Sequence, residues 1–377
     1  MIGELDRFRI ALAHDWLVGV RGGEMVLDRL ARLFGPTDLY TLVSNGSPIT
    51  ESISACRVVT SPLQRLPGAR GRLRRHYLPL MPWAVSRLRV APCDLLISTS
   101  SAVMKSIRAP QGTPHLCYCH TPARYIWSQS TAYGSRRGTS GGRLRSMGLR
   151  AVRGPFQRWD RSTVDRVTRL LANSRHIAQE IRRCWGRDAH VVHPPVRTGW
   201  FTVDPAVERE NWLLVVSSLE PYKRVEFAIE AANRMSLPLK VVGTGSQRSA
   251  LQKMAGPTVE LLGWVDDTRL LDLYRRARAL VYPQIEDFGI TAVEAQACGC
   301  PVIAFEAGGA LDSVTDRTGV FFSGAGAGAL CEAIDVFESK SIDAGACRLN
   351  AERFSEDVFD RAIMKHAVEL VKKIDRE

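Results

Sequence analysis

Short apolar runs alternate along the chain with longer stretches that have one apolar face. Near the start, the run "FRIALAH" (8–14) is typical of a buried strand, and the stretch 21–35 begins with a glycine turn and continues as an amphipathic helix. Five more strand-like runs precede residue 175, namely "DLYTLV" (38–43), "CRVVTS" (56–61), "CDLLISTS" (93–100), "PHLCYCH" (114–120) and "RVTRLLANS" (166–174). This alternation predicts an α/β domain with a largely parallel sheet.

The same alternation begins again in the second half. Strand-like runs here are "NWLLVVSSLE" (211–220), "PLKVVGTGSQ" (238–247), "TVELLGWV" (258–265), "ALVYPQ" (279–284) and "CPVIAF" (300–305). The run "HVVHPPV" (190–196) is predicted to be a short strand that closes the first half. Its proline pair cannot continue a central strand and indicates a boundary near residues 195–210. We therefore predict an N-terminal domain over 1–197, a C-terminal domain over 198–355 and a final helix over 356–377.

The final helix carries an apolar stripe that needs a surface to cover it. The residues at helical spacing are Phe359, Ile363, Ala367, Leu370, Val371 and Ile374. We expect this helix to pack back on the first domain. The predicted fold is α/β, with two Rossmann-like domains that face a cleft.

Charge divides the chain into two dissimilar halves. Residues 1–197 carry 31 Lys+Arg against 12 Asp+Glu, a net charge of +19, whereas the remainder has a net charge of −7. Between residues 52 and 159 the only acidic residue is Asp94, against 18 basic residues that are all arginine except Lys105. Because a solvated face usually mixes both signs, this stretch predicts an anionic partner: nucleic acid, anionic lipid or a phosphorylated substrate.

The cysteines and the apolar runs indicate the cellular compartment of the protein. Nine cysteines without a C-x2-C pair are not typical of a disulfide framework or a zinc site, and they favour a reducing compartment. The pairs Cys117/Cys119 and Cys298/Cys300 are predicted to be small buried residues. Since the start "MIGELDRF" is polar and no apolar run approaches the about 20 residues of a membrane span, we expect a cytoplasmic protein.

Two glutamates eight positions apart are the first candidate for chemistry. Glu286 lies in the loop predicted after the strand 279–283, and Glu294 lies in the first turns of a helix that ends at Gly299. Ligands of open α/β sheets bind at the carboxyl ends of strands, and helix N-termini bind anions. The pair suits a ligand with phosphates and hydroxyls. Alternatively, Glu286 only complements the helix dipole and Glu294 lies on a solvated face.

Five motifs in order along the chain favour the ligand-binding interpretation. They are "HDWLVGVRGGEMVLDRLARLF", "CYCHTPARYIW", "LANSRHIAQEI", "SSLEPYKRVEFAIEA" and "EDFGITAVEAQACGCPVIAFEAGG". Together they resemble the retaining glycosyltransferases of family 4, which have the two-Rossmann GT-B fold, and among these the bacterial enzymes that extend surface polysaccharides. The resemblance spans nearly the whole chain.

The resemblance implies a site for a nucleotide-diphosphate sugar in the second domain. It assigns Glu286 to hydroxyls of the donor sugar, Glu294 to the ribose hydroxyls and Lys223 to the charge of the departing diphosphate. Carboxylates suit these roles because they accept two hydrogen bonds from a diol. The resemblance implies that the backbone N–H groups of Gly289, Ile290 and Thr291, at the helix start, face the phosphates. It also implies that the glycine turn at Gly243 and Gly245 lies near the nucleotide.

In the first domain the resemblance implies contacts from Gly22, Gly23 and His120. The two glycines lie at the turn after the first strand, where the backbone approaches the diphosphate, and His120 lines the cleft near the transferred sugar. Asp15 also ends the first strand, but no step of the mechanism requires it. The implied reaction is a front-face substitution in which the departing diphosphate helps to deprotonate the acceptor. It uses no metal or other cofactor, which agrees with the absence of a D-x-D triplet from the sequence.

One residue departs from the family pattern. The family commonly has an arginine five positions before the lysine, where this chain has Ser218. A serine cannot supply a bidentate charge, so stabilisation of the leaving group would rest on Lys223. Arg224 or an arginine of the first domain is a candidate to replace the missing charge.

The resemblance ranks GDP-mannose first as donor, with a UDP-sugar as the alternative. The expected acceptor is a polyprenyl-diphosphate-linked saccharide at the inner face of the cytoplasmic membrane. Arginine clusters beside apolar residues would bind anionic lipid there; the alternative is a basic surface that only contacts solvent. The first cluster is Arg65, Arg70, Arg72, Arg74 and Arg75 beside Leu78, Leu80, Met81 and Trp83. The second is Arg136, Arg137, Arg143, Arg145, Arg150 and Arg153 ahead of Phe156 and Trp159.

Two other classes of protein fit the sequence less well. An NAD-dependent oxidoreductase would need a G-x-G-x-x-G turn, which "GVRGGE" does not provide. A non-enzymatic nucleotide- or nucleic-acid-binding protein fits the charge, but the arginines alternate with Leu, Pro and Trp and resemble no DNA or RNA module. We therefore expect no nucleic-acid partner.

Overall fold

The protein folds into two compact units, seen in a computed structural model that describes residues 7–19, 22–47, 49–127 and 153–374. The first unit comprises the chain up to His193 together with the stretch from Phe359 onward, and the second is Pro194–Val358. The boundary thus falls four residues before the predicted one, at the proline pair. The C-terminal stretch rejoins the first unit.

The first unit is built on a parallel sheet with the strand order β3-β2-β1-β4-β5-β6-β7 within the described residues. Its strands are β1 (Ile10–Leu17), β2 (Asp38–Ser44), β3 (Arg57–Thr60), β4 (Leu95–Ser100), β5 (His115–Cys119), β6 (Arg169–Ala172) and β7 (His190–Val191). The α-helices are α1 (Gly22–Phe34), α2 (Glu51–Ser54), α3 (Met81–Ser86), α4 (Arg124–Trp127) and α5 (Arg175–Trp185), with 3₁₀ segments at Pro62–Arg65, Arg72–Leu80, Met104–Ser106 and Val164–Arg166.

The ends of helix α5 show how local sequence sets these boundaries. Ser174 precedes the helix, and its side chain accepts a hydrogen bond of 3.1 Å from the backbone N–H of Ile177. Gly186 follows the helix with φ of 70°, a left-handed conformation that glycine adopts without a steric cost. Both signals are readable in the sequence.

The final helix, α13 (Glu356–Ile374), covers one face of the first sheet from residue 359 onward. Its side chains Phe359, Ile363 and Leu370 are buried in the same core cluster as Leu12 of β1 and Leu27 of α1. Arg29 of α1 also donates to both carboxylate oxygens of Asp360, at 2.8 and 2.5 Å. The prediction that the helix packs back on the first domain is confirmed.

The second unit has a parallel sheet with the order β10-β9-β8-β11-β12-β13. Its strands are β8 (Leu213–Val216), β9 (Leu239–Val242), β10 (Val259–Gly263), β11 (Ala279–Tyr282), β12 (Val302–Phe305) and β13 (Gly319–Phe322). The helices are α6 (Val225–Met235), α7 (Arg248–Met254), α8 (Asp267–Arg276), α9 (Ile290–Ala297), α10 (Ala310–Ser313), α11 (Ala327–Glu338) and α12 (Ala344–Glu352), with a 3₁₀ segment at Pro221–Lys223.

Both sheets contain the strand order of a Rossmann fold. Numbered within each unit, the first six strands run 3-2-1-4-5-6, so the order reverses between β1 and β4 and between β8 and β11. Two details differ from the prediction. The strand predicted over 190–196 is only two residues long because the prolines follow it, and β13 was not predicted. The α/β fold with two Rossmann-like domains is confirmed.

The cysteines and the helices bear on two expectations that were drawn from composition. All nine cysteines lie in the described part of the chain and are free, and Cys117, Cys119, Cys298 and Cys300 are buried. In the residues that the structure describes, no helix is long and apolar enough to cross a membrane.

Candidate active site

Lys223 and Glu286 form an ion pair at the switch point of the second sheet. Lys223 ends the 3₁₀ segment after β8, and Glu286 lies in the loop after β11. These two strands are neighbours, so both loops leave the carboxyl edge where the strand order reverses. Both side chains are largely shielded from solvent, at 14% and 18% exposure. The structure therefore brings together two residues that the sequence assigns to one site.

Gly243 and Gly245 allow a second loop to lie against the lysine loop. A Cβ at Gly243 would overlap the carbonyl oxygen of Ser217, and a Cβ at Gly245 would overlap that of Leu219. Gly243 also has φ of 137°, which side-chain-bearing residues rarely adopt. The structure thus gives both glycines a packing role beside Lys223. Their predicted place near the nucleotide stays a prediction.

The start of helix α9 is shaped by glycines as well. Gly289 has φ of 95°, and a Cβ there would lie 2.5 Å from the hydroxyl oxygen of Tyr282. Ile290 and Thr291 form the first turn, so their N–H groups belong to the unpaired set at the helix N-terminus. In the loop after β12, Gly309 donates its N–H to the carbonyl oxygen of Glu286 at 2.9 Å. The backbone of Glu286 is therefore held from the loop after β12.

Glu294 lies inside the second unit rather than on a solvated face. It is 9% exposed, and its Oε2 accepts a hydrogen bond of 3.2 Å from the hydroxyl of Tyr274 in α8. Burial raises the pKa of Glu294 to about 7, although the charge of Arg197 and the bond from Tyr274 act in the opposite direction. Arg197 itself pairs with Asp267 at 2.7 Å. A buried carboxyl with a shifted pKa beside a helix start is typical of a ligand site.

Ser218 and Arg224 flank the lysine segment. Ser218 is exposed, so a larger side chain at this position has room. Arg224 adopts φ of 54°, and its guanidinium lies 4.8 Å from the ring centre of Phe305, at the carboxyl end of β12. Its cation therefore lies at the same edge of the sheet as Lys223.

In the first unit, Gly23 lies against two histidine rings. A Cβ at Gly23 would meet His120 Nε2 at 3.6 Å and His14 Cε1 at 3.7 Å, both ordinary contact distances. Gly22 and Gly23 open helix α1, and His120 follows β5. Nε2 of His120 is shielded from solvent and has no hydrogen-bond partner among the described residues. Burial lowers the pKa of His120 to about 3, so the ring is neutral.

His14 and Glu24 complete this cluster, and sequence reasoning did not single them out. His14 Nδ1 lies 2.6 Å from Thr99 Oγ1, and His14 Nε2 lies 3.9 Å from Glu24 Oε1. Both side chains are buried, at 4% and 6% exposure. Burial acts to raise the pKa of Glu24, but its interactions with His14, with its own backbone and with His120 together outweigh that effect and lower the pKa. The available signal was a polar "HD" pair inside an apolar strand.

Asp15 has a structural role. Its Oδ2 accepts hydrogen bonds from the N–H groups of Ser101 and Ala102, and its Oδ1 from those of Val103 and Met104, at 2.6–2.9 Å. A carboxylate that satisfies four backbone donors fixes the loop after β4. Both carboxylate oxygens of Asp15 are thus engaged by backbone of the first unit.

Two family models match this chain. One is described as glycosyl transferases group 1 and matches residues 197–354, and the other as glycosyltransferase family 4 and matches residues 20–200. Together they extend from residue 20 to residue 354. The chain belongs to glycosyltransferase family 4.

Relatives and solved structures agree with this family. A D-inositol 3-phosphate glycosyltransferase 2 of Catenulispora acidiphila is 34% identical over 194 residues, 43% of this chain and 45% of the relative. The chain spans about half the length of the curated relatives it matches. Sucrose-phosphate synthase from Thermosynechococcus elongatus (TM-score 0.71, 17% identity, 97% of this chain and 100% of that chain) has the same fold. So does Anabaena HepE in complex with UDP (TM-score 0.68, 16% identity, 96% and 100%).

Only some residues of the predicted arginine clusters and their apolar neighbours are exposed. In the first cluster, Arg65 and Arg70 are exposed, and so are Leu80 (42%) and Trp83 (43%). Leu78 and Met81 were predicted to line the same surface, but they are buried in the core of the first unit. Leu73, which was not predicted, is 49% exposed.

The second cluster is described only at its end. Arg136, Arg137, Arg143, Arg145 and Arg150 lie outside the described residues. Arg153 donates to the carbonyl oxygen of Ile126 at 3.0 Å, Phe156 is buried, and Trp159 packs against it at 5.2 Å between ring centres. Since Phe156 contributes to the core, it does not form an apolar surface patch.

Proposed function

We propose that this glycosyltransferase transfers a hexose, with retention of configuration, from a nucleotide-diphosphate sugar to a saccharide acceptor. The observation that carries the proposal is the placement of Lys223 and Glu286 on the two loops that flank the switch point of the second sheet. The nearby helix α9 contributes unpaired N–H groups at its start and the buried Glu294 within it. A cation for the diphosphate, a carboxylate for the sugar and one for the ribose are thus available in one unit.

The Lys223–Glu286 pair suits a donor that carries both charge and hydroxyls. When a diphosphate approaches, the ammonium of Lys223 gains an anionic partner, and Glu286 is released to accept hydrogen bonds from the sugar. Because charge builds on the diphosphate as the glycosidic bond breaks, Lys223 stabilises the transition state more than the bound donor. We further propose that neither a metal nor another cofactor takes part. Turnover unchanged by EDTA supports this, and loss of turnover that Mg²⁺ restores overturns it.

We rank GDP-mannose first as the donor and a UDP-sugar second. The ranking rests on the motif resemblance, while the likeness to a UDP-bound structure extends to the fold alone. Isothermal titration with GDP and with UDP tests the base, and release of the nucleoside diphosphate from a panel of nucleotide sugars tests the sugar. Retention is checked by NMR of the anomeric proton in the product. Failure to bind either nucleotide overturns the proposed function.

The proposed acceptor is a polyprenyl-diphosphate-linked saccharide at the cytoplasmic face of the membrane. The support is the net charge of +19 in residues 1–197 and the exposed Leu73, Leu80 and Trp83, which lie on one segment with Arg65 and Arg70. Basic side chains near anionic lipid contribute about 1 kcal/mol each, and exposed Trp and Leu enter the interface. Relatives named for D-inositol 3-phosphate make a small phosphorylated acceptor the second candidate.

Vesicle binding separates the membrane proposal from a surface that only contacts solvent. Wild-type protein is expected to co-sediment with anionic vesicles at low salt, and Arg65→Glu/Arg70→Glu or Trp83→Ser to reduce this binding. Trp200→Ser is the matched control, because Trp200 is equally exposed (47%) but belongs to the second unit. Wild-type protein that ignores anionic vesicles overturns the membrane proposal and leaves donor binding untouched.

A further inference from the structure

Glu24 and His14 are buried, and together with the half-buried His120 they form a polar cluster beside Gly23. Glu24 lies in the first turn of α1, His14 in β1 and His120 directly after β5. His14 is fixed from both sides, since Thr99 contacts its Nδ1 and Glu24 lies opposite its Nε2. A hydrogen on His14 Nε2 faces the Glu24 carboxylate across 3.9 Å, and with that hydrogen in place Nδ1 accepts one from the Thr99 hydroxyl.

The rings of His14 and His120 meet at Gly23. Both lie within 3.7 Å of the position that a Cβ of Gly23 would occupy. Gly23 places no side-chain atom at that position, and Nε2 of His120 lies 3.6 Å from it without a hydrogen-bond partner among the described residues. The edge of Tyr118 contacts His120 at 5.2 Å between ring centres. A ligand over Gly23 therefore reaches His120 directly and Glu24 only through the rings.

The cluster is costly as a purely structural feature. Burying the carboxylate of Glu24 and the imidazole of His14 removes both groups from water, and well-packed apolar residues usually fill such a space at least as stably. Glu24 nevertheless keeps its charge, because its interactions with His14, with its own backbone and with His120 together outweigh the effect of burial on its pKa. The first unit thus holds a fixed negative charge behind the ring that borders Gly23.

We propose that Glu24 is a positioning residue, which with His14 orients and polarises His120 against the transferred sugar. This inference rests on the proposed function. A negative charge behind the imidazole makes His120 Nε2 a stronger acceptor for a hydrogen bond from a sugar hydroxyl. It also favours the positive charge that develops on the sugar as the diphosphate departs. Both effects are larger in the transition state than in the bound donor, so they act on turnover rather than on binding.

Glu24→Gln tests the charge because it preserves size and hydrogen bonding. It is expected to lower kcat about tenfold or more while leaving KM for the donor within about twofold. Asp28→Asn is the matched control. Asp28 is also a buried carboxylate of α1, one turn further along, but it pairs with Arg32 at 3.0 Å and should leave turnover unchanged. Equal melting temperatures of Glu24→Gln and wild type separate this effect from a loss of folding.

NMR of the histidine rings provides a readout that needs no turnover. Long-range ¹H–¹⁵N spectra, assigned with His14→Gln and His120→Gln, report which ring nitrogen carries hydrogen. Wild type is expected to show one dominant arrangement of the His14 ring, with a hydrogen on the nitrogen that faces Glu24. Glu24→Leu is expected to mix the tautomers of His14 and to shift the His120 nitrogens, whereas Asp28→Asn shifts neither.

The outcomes separate this inference from the proposed function. If wild type transfers sugar and Glu24→Gln is as fast, with unchanged His120 resonances, the positioning role is wrong. If wild type transfers sugar from no nucleotide sugar, the proposed function fails, and the role of Glu24 toward a transferred sugar fails with it. If wild type does transfer sugar, unshifted His120 nitrogens in Glu24→Leu overturn the inference.

Discussion

Tyr274 donates its hydroxyl hydrogen to Glu294 across 3.2 Å, in the interior of the second unit. Burial raises the pKa of this carboxyl to about 7. Tyr274 can supply one hydrogen, so the carboxylate retains the capacity to accept further hydrogen bonds from ribose hydroxyls. Glu294 is therefore both a proposed ligand contact and a group that titrates near neutral pH.

Binding of the donor should tighten as pH rises through about 7. The ionised carboxylate accepts from both ribose hydroxyls, so affinity for the nucleotide sugar is expected to increase up to about tenfold between pH 6 and pH 8. The diphosphate diester of a nucleotide sugar has no pKa in this range, which makes it a better probe than the free nucleotide. Glu294→Gln should bind more weakly and show no such dependence. An equal pH dependence in that variant would contradict the assignment.

The same pKa shift predicts a pH dependence of stability with the opposite sign. Since the folded pKa of Glu294 lies above its ordinary value near 4.5, the folded protein binds an extra proton between these values. The contribution of Glu294 is therefore fully present below about pH 4.5 and is lost as pH rises through about 7. Chemical denaturation at several pH values should give a smaller loss for Glu294→Gln than for wild type. Parallel curves for the two proteins would rule out the shift.

Glu286→Ala and Glu294→Ala should affect different steps. Glu294→Ala is expected to weaken nucleotide binding, and Glu286→Ala mainly to lower kcat, each by about 10- to 100-fold, the scale of a lost charge-assisted hydrogen bond. Glu260→Ala is the control, because Glu260 is exposed near the amino end of β10. Titration calorimetry and steady-state kinetics separate the two effects. Variants that bind and turn over like wild type would show that the site is elsewhere.

Much of this fold could be predicted from local sequence. The strands lie within a few residues of the predicted runs because an apolar run between polar turns has few alternatives. Gly299 adopts φ of 73° after α9, as its position predicted. β13 was missed because "GVFF" is short and its pairing with β12 is decided by tertiary contacts.

Only some residues of the candidate site could be predicted from the sequence. Lys223 and Glu286 could be assigned by motif, but their ion pair depends on β8 and β11 being neighbours, which only the strand order establishes. Asp15 and Glu24 were equally visible as polar residues near glycine turns. Which of them binds backbone and which faces histidine follows from the loops packed against them, and no local pattern encodes that.

Gly243→Ala should destabilise the second unit. The added Cβ would overlap the carbonyl oxygen of Ser217, and the residue would keep a positive φ, so a loss of about 2 kcal/mol or more in the free energy of unfolding is expected. Gly328→Ala is the matched control. Gly328 lies in helix α11 with open space around it, and alanine there should stabilise by up to about 1 kcal/mol. Similar melting temperatures for both variants would contradict the close approach of the two loops.

Ser218→Arg should add a charge to the donor site without abolishing activity. Ser218 is exposed, five residues before Lys223, so the guanidinium has room to approach a diphosphate at the switch point. One additional charge-assisted hydrogen bond corresponds to about 1 kcal/mol, or roughly fivefold tighter donor binding. The matched variant Ser218→Gln has similar length without the charge, and it should bind donor like wild type.

Because Arg224 already holds a cation at this edge of the sheet, Arg224→Gln should weaken donor binding, and Ser218→Arg should restore it in the double variant. Titration calorimetry with the preferred nucleotide sugar measures the four variants and wild type. If Ser218→Arg loses binding outright, the pocket is shaped around the serine, and the diphosphate does not pass near residue 218.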